Sequence, residues 1–255
     1  MPHLHLANTC FETEMEMTSP QPIDRILEQH EVFLQLQFLP FLYGSQDDGV
    51  VVTQVPDESY WEHLKSLSIS PPHHHLLRQS DPFPYERLES WGSSPNVAQW
   101  AKSHAVRYES PSFDLVRKVH SKAYAFEYAP QLPGSALLRD HIQLKKWLMD
   151  HQTHPIVFKT CFGTAGRGHM VVDPQKPVEI ARLINFLQKE WRAGRSIVAQ
   201  PWMERVLDFS TQWKITPEKE CVFLGATICE TDERGQYRGN WVGDTPTLFG
   251  EHLSY

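Results

Sequence analysis

The stretch PIVFKTCFGTAGRGHMVV, residues 155–172, joins an apolar run to a glycine-rich loop and then to a second apolar run. The two runs predict short strands, and the first of them ends near Lys159. Glycines let a backbone approach anionic oxygens closely, so successive N–H groups can point at those oxygens while a lysine supplies positive charge. We therefore predict a local phosphate site here, to which Arg167 can add a second charge.

Three common nucleotide motifs fit this loop poorly. A P-loop requires a lysine after its last glycine, but Gly168 is followed by His169. A Rossmann fingerprint reads GxGxxG and leads into a helix, whereas the spacing here is GxxGxG and leads into a strand. A protein kinase places its glycine loop before its lysine strand. Taken alone, the loop is also compatible with a plain hairpin that leaves Lys159 exposed at a strand end.

The bulk composition narrows the class of protein. The chain has 255 residues and a formal net charge of -7, which argues against nucleic-acid binding through a general basic surface. No apolar run approaches the roughly 18 to 20 residues needed to span a bilayer. The cysteines are scattered and form no CxxC pair: Cys10, Cys161, Cys221 and Cys229. We expect a reduced, cytoplasmic protein with no nucleic-acid or membrane role.

The first third of the chain predicts an α/β layer. Three apolar runs predict strands: one near Leu4, one at residues 33–43 and one at residues 49–55. Residues 56–67 then predict a helix with Asp57 as its N-cap. Residues 68–88 are rich in proline and histidine and predict an extended connection. The run His73–His75 within it lacks the separated spacing of a structural metal site, and we assign it no ion.

The rest of the chain predicts helices followed by strands. Helical spacing of apolar residues recurs at residues 97–104, 112–129, 139–150 and 177–194. The second of these helices contains Lys122 or ends near it, and the last has Pro177 near its start and Gly194 as its stop. Strands are predicted at residues 196–202, 209–215, 221–231 and 236–242, with a tight turn at 232–235.

Three separated segments resemble the nucleotide-binding parts of the ATP-grasp superfamily, in the same order and with similar spacing. Residues 120–138 resemble the helix that bears the first ATP-binding lysine. Residues 155–172 resemble the strand, second lysine and phosphate-covering loop. Residues 196–215 resemble the strand and hinge where backbone groups bind adenine and an acidic residue holds ribose. The resemblance covers residues 111–239, about half of the chain.

The resemblance implies a role for each matching residue around an ATP. It places Lys122 and Lys159 at the α and β phosphates, and the glycine loop over the β and γ phosphates. Gln200 stands where the family often has Glu, and its amide can still accept from or donate to the adenine edge. Asp208 stands where the family holds the ribose hydroxyls, and Glu204 is the alternative partner. The full nucleotide-binding set is Lys122, Lys159, Gly163, Thr164, Gly166, Arg167, Gly168, Gln200, Pro201, Trp202, Met203 and Asp208.

Simple structural alternatives stay open for several of these polar and aromatic residues. Lys122 can be an exposed helix lysine, and Trp202 can pack in a core without touching a ligand. Three carboxylates near the end of the matching region are expected to be solvated residues of a hairpin turn: Glu230, Asp232 and Glu233.

The resemblance fails at the metal ligands. The family binds Mg2+ through an acidic residue and a downstream Glu-x-Asn, and no such triplet follows Asp208. We expect ATP and Mg2+ as cofactors, with metal ligands that this sequence does not identify. Either the chain is truncated, or a partner chain or adjacent reading frame supplies the missing lobe, or the protein binds nucleotide without completing the reaction.

The architecture that the resemblance implies is α/β (α+β). Residues 1–115 form an N-terminal pre-ATP-grasp-like α/β domain, and residues 116–255 form an ATP-grasp small lobe and an incomplete large lobe. The implied activity is ATP-dependent carboxylate-amine ligation of the peptide type, through an acylphosphate, with a small carboxylate, amino acid or peptide as substrate. No residue is a convincing general base. The alternatives are a non-catalytic nucleotide-binding or regulatory protein and an unrelated α/β protein with a plain hairpin.

Overall fold

The computed structural model describes residues 2–17, 19–163, 168–232, 237–244, 247, 249 and 250. The chain divides into two compact units, Met1–Ser121 and Lys122–Tyr255. Three predicted nucleotide-binding residues lie outside the described residues: Thr164, Gly166 and Arg167. Within the described ranges, no helix is both long and apolar enough to cross a membrane. The division into functional domains at residue 115 stays a prediction.

The first unit alternates strands and helices around one sheet. Its strands are β1 (Leu4–Leu6), β2 (Gly49–Val52), β3 (His73–Leu76) and β4 (Leu88–Ser90). Its helices are α1 (Phe11–Glu14), α2 (Ile23–Leu27), α3 (Glu31–Leu36), α4 (Pro40–Tyr43), α5 (Glu58–Ser66), α6 (Pro95–Ser103) and α7 (Phe113–His120). The strands are all parallel, in the order β3-β2-β1-β4.

Strand β2 is buried on both faces of this sheet, which explains its uninterrupted apolar sequence. Val51 packs with Leu88 in one core cluster. Val50 packs with Phe41 and Leu64 in another. Parallel sheets are covered by helices on both faces, and their strands are apolar throughout for that reason. The predicted α/β fold class is therefore confirmed.

The prediction of a strand at residues 33–43 is wrong, because this segment forms α3 and α4. Phe33 of α3 and Phe41 of α4 are buried in two different core clusters, and Gln37 between the two helices is also buried. Pro40 occupies the first turn of α4, a position where its missing N–H costs no hydrogen bond.

The prediction of an extended connection at residues 68–88 is incomplete, because it contains β3. The run His73–His75 pairs with Gly49–Val51 in a parallel ladder. The rings of His74 and His75 contact different aromatic neighbours, Trp61 for the first and Phe83 and Tyr85 for the second. These histidines are strand residues packed among aromatic rings.

The second unit contains two antiparallel sheets. Its strands are β5 (Ala136–Leu138), β6 (Ile156–Thr160), β7 (His169–Val172), β8 (Ile197–Pro201), β9 (Asp208–Ile215), β10 (Cys221–Thr231) and β11 (Tyr237–Trp241). Its helices are α8 (Lys122–Tyr128), α9 (His141–Asp150) and α10 (Pro177–Arg192). The sheet orders are β5-β8-β6-β7 and β11-β10-β9. The strands predicted from residue 155 onward are confirmed, and so is the helix that Gly194 follows with a φ of 70°.

One face of the four-stranded sheet carries the core of this unit. Ile156, Phe158 and Ile197 pack there with Leu144 of α9 and Leu183 of α10. The helical face of α10 and the alternate residues of the strands account for this core. On the opposite face, Val157 and Val198 are also buried, whereas Lys159 and Gln200 are partly exposed.

The single helix predicted at residues 112–129 is two helices, α7 and α8. Ser121 between them is extended, with a ψ of 131°. The N–H of Lys122 donates to the carbonyl oxygen of Cys161 at 2.9 Å. This long-range bond takes the place of an intrahelical one, and it sets Lys122 at the start of α8.

Candidate functional site

The four-stranded sheet of the second unit brings two predicted residues together on its non-core face. Side chains alternate along a strand, so Lys159 points away from the face that Phe158 occupies, and Gln200 points away from the face of Ala199. In the ladder, β6 and β8 are adjacent, with Lys159 opposite Val198. Lys159 and Gln200 are therefore diagonal neighbours on one surface.

A direct hydrogen bond joins these two side chains. Nζ of Lys159 donates to Oε1 of Gln200 at 2.7 Å. An ammonium group can only donate, so the carbonyl end of the amide faces the lysine. The Nε2 end then lies 3.4 Å from Oγ of Ser135 and donates to it.

Lys159 is partly buried, and the partner of its ammonium group is an amide oxygen. Burial lowers the pKa of its ammonium group from the ordinary value. Among the described residues, no carboxylate lies within ion-pair distance of Lys159. Such a cation is expected to attract an anionic ligand, which would replace the solvation that it has lost.

Lys122 lies at the first described glycine of the loop. Its Nζ donates to the carbonyl oxygen of Gly163 at 3.0 Å. Together with the backbone bond from Lys122 to Cys161, this contact holds the start of α8 against the chain that follows β6. The first predicted lysine is thus brought to the predicted loop.

The other end of the loop is held by Thr160. Its N–H donates to the carbonyl oxygen of Gly168 at 2.7 Å, and its hydroxyl donates to the carbonyl oxygen of Phe162. Gly168 has a φ of 74°, which favours glycine. A Cβ atom there would overlap the Thr160 hydroxyl and lie 2.9 Å from the Phe162 carbonyl oxygen.

The predicted hinge continues directly from β8. Pro201 is the last residue of the strand, opposite Ile156 in the ladder. The N–H of Trp202 donates to the carbonyl oxygen of Pro155 at 2.9 Å. Trp202 is partly exposed and Met203 is exposed. The interpretation of Trp202 as a fully buried core residue is therefore not favoured by its surface position.

Asp208 lies at the start of β9, in the three-stranded sheet, and its carboxylate accepts two hydrogen bonds. Its Oδ2 accepts from Nη1 of Arg205 at 2.9 Å and from Oγ1 of Thr231 at 2.8 Å. The Arg205 guanidinium also lies 5.2 Å from the ring centroid of Trp202. A cation thus lies between the hinge and the predicted ribose partner.

Four residues of this region were not predicted from sequence. Ser135 and Thr160 act through single hydrogen bonds, which leave no sequence pattern. Arg205 precedes Asp208 by three residues, a spacing that can indicate an ion pair. His169 lies directly opposite Lys159 in the β6–β7 ladder. Its position directly after the last glycine of the loop could have indicated that it lies near the predicted site.

Metal ligands are not found where the structure describes the chain. In those residues, no group of three or more His, Cys, Asp or Glu side chains is placed to hold a metal ion. Asp232, one of the predicted turn carboxylates, pairs with Arg238 at 3.2 Å. Magnesium binding stays a prediction with no assigned ligands.

Comparison with known proteins relates the chain to others by structure. No protein-family model matches the sequence, and no curated protein sequence matches it. An N5-carboxyaminoimidazole ribonucleotide synthetase solved as an ADP complex matches with 11% identity and a TM-score of 0.51, over 96% of this chain and 57% of that one. A biotin carboxylase from Campylobacter jejuni matches with 14% identity and a TM-score of 0.52, over 92% and 52%.

The biotin carboxylase domain of the Hydrogenobacter thermophilus 2-oxoglutarate carboxylase gives a similar result. It matches with 12% identity and a TM-score of 0.51, over 92% of this chain and 51% of that domain. These similarities show that the chain has an ATP-grasp-like fold. The chain spans about half the length of the proteins that it matches.

Proposed function

We propose that the second unit binds ATP on the non-core face of its four-stranded sheet, and that the protein is an ATP-dependent carboxylate-amine ligase. The supporting observation is the convergence of three separated segments. Lys122 reaches Gly163 at 3.0 Å, and Lys159 reaches Gln200 at 2.7 Å. These contacts join the three segments that the ATP-grasp resemblance assigns to the first lysine, the phosphate loop and the adenine hinge.

Electrostatics supports an anionic ligand at this face. Lys159 is partly desolvated, and its ammonium group donates to the amide oxygen of Gln200. A triphosphate placed beside it supplies opposite charge in a region of reduced dielectric constant, where charge interactions are stronger than in water. Backbone N–H groups of a glycine loop can bind further phosphate oxygens.

The remaining roles follow the resemblance and are part of the proposal. Gln200 and the hinge residues Pro201, Trp202 and Met203 would contact the adenine. Gly163 and Gly168 would anchor the loop, with Thr164, Gly166 and Arg167 between them over the phosphates. Asp208 would bind the ribose hydroxyls while it shares its carboxylate with Arg205.

The reaction proposed is a two-step ligation. A substrate carboxylate oxygen attacks the γ phosphorus and ADP leaves, which gives an acylphosphate. An amine then attacks the acyl carbon, phosphate leaves, and the amine loses a proton. The chain's own residues would contribute position and positive charge. The substrate class is a small carboxylate joined to an amino acid or peptide amine.

A nucleotide-binding protein that does not complete the reaction is the second candidate function. It keeps the proposed nucleotide contacts and needs neither metal ligands nor a general base, which the resemblance assigns to no residue of this sequence. Among the described residues, no group of three or more His, Cys, Asp or Glu side chains is placed to hold a metal ion. Missing metal ligands could come from a partner chain.

The test is the thermal midpoint of the 255-residue chain with and without ATP at millimolar concentration. A ligand that binds only the folded state raises this midpoint by mass action. We expect Lys159→Met to lose most of the shift and Lys145→Met, an exposed lysine on α9, to keep it. Absence of a shift in the natural sequence would contradict ATP binding.

Turnover separates the two candidate functions. The chain is incubated with ATP, Mg2+ and a pool of amino acids and small carboxylates, and the release of ADP and phosphate is measured. Release that depends on an acceptor supports the ligase. A midpoint shift without release supports nucleotide binding alone.

A further inference from the structure

Arg205 joins three segments of the second unit through its guanidinium group. Its Nη1 donates to Oδ2 of Asp208 at 2.9 Å and to Oγ1 of Thr231 at 3.2 Å. Its Nη2 donates to the carbonyl oxygen of Asp232 at 3.2 Å. The guanidinium carbon lies 5.2 Å from the ring centroid of Trp202, within the range of a cation–π contact. The hinge, the start of β9 and the end of β10 therefore meet at one side chain.

These contacts leave one oxygen of the Asp208 carboxylate for a ligand. Arg205 and Thr231 both donate to Oδ2, and Thr231 does so at 2.8 Å. Among the residues that the structure describes, none donates a hydrogen bond to Oδ1. Each oxygen of an ionised carboxylate accepts through two lone pairs, so the two bonds at Oδ2 occupy that oxygen. Oδ1 is therefore the acceptor that Asp208 can offer to a hydroxyl group.

Folding stability does not account for this arrangement. The side chains of Arg205 and Asp208 are 30% and 34% exposed, and ion pairs between groups in contact with solvent stabilise a protein little. A ligand site gains more from it, because a side chain that is already held in its binding orientation loses less conformational freedom when the ligand binds. The contacts of Arg205 therefore indicate a role in binding.

Charge gives a second reason for an arginine beside Asp208. A triphosphate is strongly anionic, and an unpaired carboxylate in the same site would repel it. The Arg205 guanidinium, 2.9 Å from Oδ2, offsets that charge. It contacts Oδ2 and leaves Oδ1 able to accept a hydrogen bond.

We propose that Arg205 positions Asp208 for the ribose of ATP, an inference that rests on the proposed function. Arg205 holds Oδ2, so that Oδ1 accepts a hydrogen bond from one ribose hydroxyl. Its contact with Trp202 keeps this carboxylate in a fixed place relative to the adenine hinge. Lysine cannot do both, because a single ammonium group lacks the planar fork and the stacking face of a guanidinium. Arg205 is thus a positioning residue that acts through Asp208.

Calorimetric titration with ATP, 2′-deoxy-ATP and 3′-deoxy-ATP tests this inference. The ratio of dissociation constants gives the preference for ATP over each analogue, and a uniform change in affinity cancels in that ratio. We expect Arg205→Ala to lower the larger of the two preferences by about fivefold. Arg205→Lys should keep most of the affinity for ATP but lose the preference to a similar extent.

Arg238→Ala is the matched control for these variants. Arg238 pairs with Asp232 at 3.2 Å, in the same sheet as Asp208, and its loss should leave both preferences unchanged. The midpoint of thermal unfolding without nucleotide shows whether each variant is folded.

The double variant Arg205→Ala/Asp208→Ala shows whether Arg205 acts through Asp208. Once Asp208→Ala has removed the carboxylate, loss of Arg205 should change neither preference, because the two substitutions remove one shared interaction. An equal further loss in the Asp208→Ala background overturns the inference, and so does full recovery of the preference in Arg205→Lys. If the natural sequence binds no ATP, the proposed function fails and this inference fails with it. If ATP binds and Arg205→Ala keeps the full preference, this inference alone fails.

Discussion

Nζ of Lys159 lies 2.7 Å from Oε1 of Gln200, across two adjacent antiparallel strands. The pair joins the predicted phosphate side of the site to its predicted adenine side. A carboxylate at position 200 would neutralise the lysine, whereas the amide leaves its charge available. Gln200, one of the positions at which the sequence departs from the ATP-grasp pattern, is therefore the direct partner of the lysine on which the proposed site depends.

Asp48→Asn is expected to destabilise the protein by roughly 2–4 kcal/mol at neutral pH. The Asp48 carboxylate accepts from the N–H of His3 at 2.7 Å and from the N–H of Ser45 at 2.8 Å. Its Oδ2 also lies 3.2 Å from Nε2 of His5, and the His5 ring lies between Asp48 and Glu89. An amide cannot accept from all these donors at once. Chemical denaturation measures the difference.

The pH dependence of this difference has a defined sign. Burial alone would raise the pKa of Asp48, but its hydrogen bonds outweigh burial and hold that pKa well below the usual range. The stabilisation is complete above the unfolded pKa of about 4 and is lost as pH falls toward the folded pKa. The difference from Asp48→Asn should shrink below about pH 4. Asp47→Asn, an exposed neighbour, should show no such effect.

Gly168→Ala is expected to cost roughly 2–4 kcal/mol, and Gly194→Ala only about 1 kcal/mol. Both glycines have positive φ, 74° and 70°. A Cβ at Gly168 overlaps the Thr160 hydroxyl, whereas a Cβ at Gly194 meets no atom within 4 Å. Thermal unfolding of the two variants separates backbone strain from steric overlap. Equal losses would show that the contact with Thr160 adjusts freely.

If Asp208 binds ribose as proposed, Asp208→Ala is expected to reduce the preference for ATP over 2′-deoxy-ATP by about tenfold, because the substitution would remove a hydrogen bond to a ribose hydroxyl. Calorimetric titration with both nucleotides measures the ratio. Glu204→Ala is the control, since Glu204 is the exposed alternative partner in the same hinge. A ratio that changes for Glu204→Ala and not for Asp208→Ala would reverse the assignment.

Periodicity predicted the elements whose burial is regular. Strands β6 and β8, with alternate residues in a core, and helix α10, with one apolar face, were all predicted at nearly their observed bounds. Residues 33–43 were misread because leucine and phenylalanine fill both helices and strands. Periodicity alone does not distinguish a strand from a buried helix in such a short apolar run.

The site was predicted less completely than the fold. The resemblance indicated that Lys122, Lys159 and Gln200 belong to one site. It did not give their contacts, because each hydrogen bond joins residues 41 positions apart. Arg205 was missed because its contacts with Asp208 and Trp202 depend on how the hinge turns. Local sequence carries no record of such long-range geometry.

Gln200→Glu is expected to move the alkaline loss of ATP affinity to higher pH. In the natural sequence, burial lowers the pKa of Lys159, and bound phosphate would raise it again by supplying opposite charge. ATP therefore binds with proton uptake between these two pKa values, and affinity falls by up to about tenfold per pH unit there.

A glutamate at position 200 would supply the opposite charge before ATP binds. The pKa of Lys159 in the free protein then rises, proton uptake decreases, and the fall in affinity begins at higher pH. The number of protons taken up on ATP binding is measured by titration calorimetry in two buffers of different ionisation enthalpy. The measurements start at about pH 8, where phosphate is fully ionised. Gln212→Glu, in the three-stranded sheet β9–β10–β11, is the same substitution and should leave the proton count unchanged. Identical pH profiles for Gln200→Glu and Gln212→Glu would show that Lys159 does not contact the nucleotide.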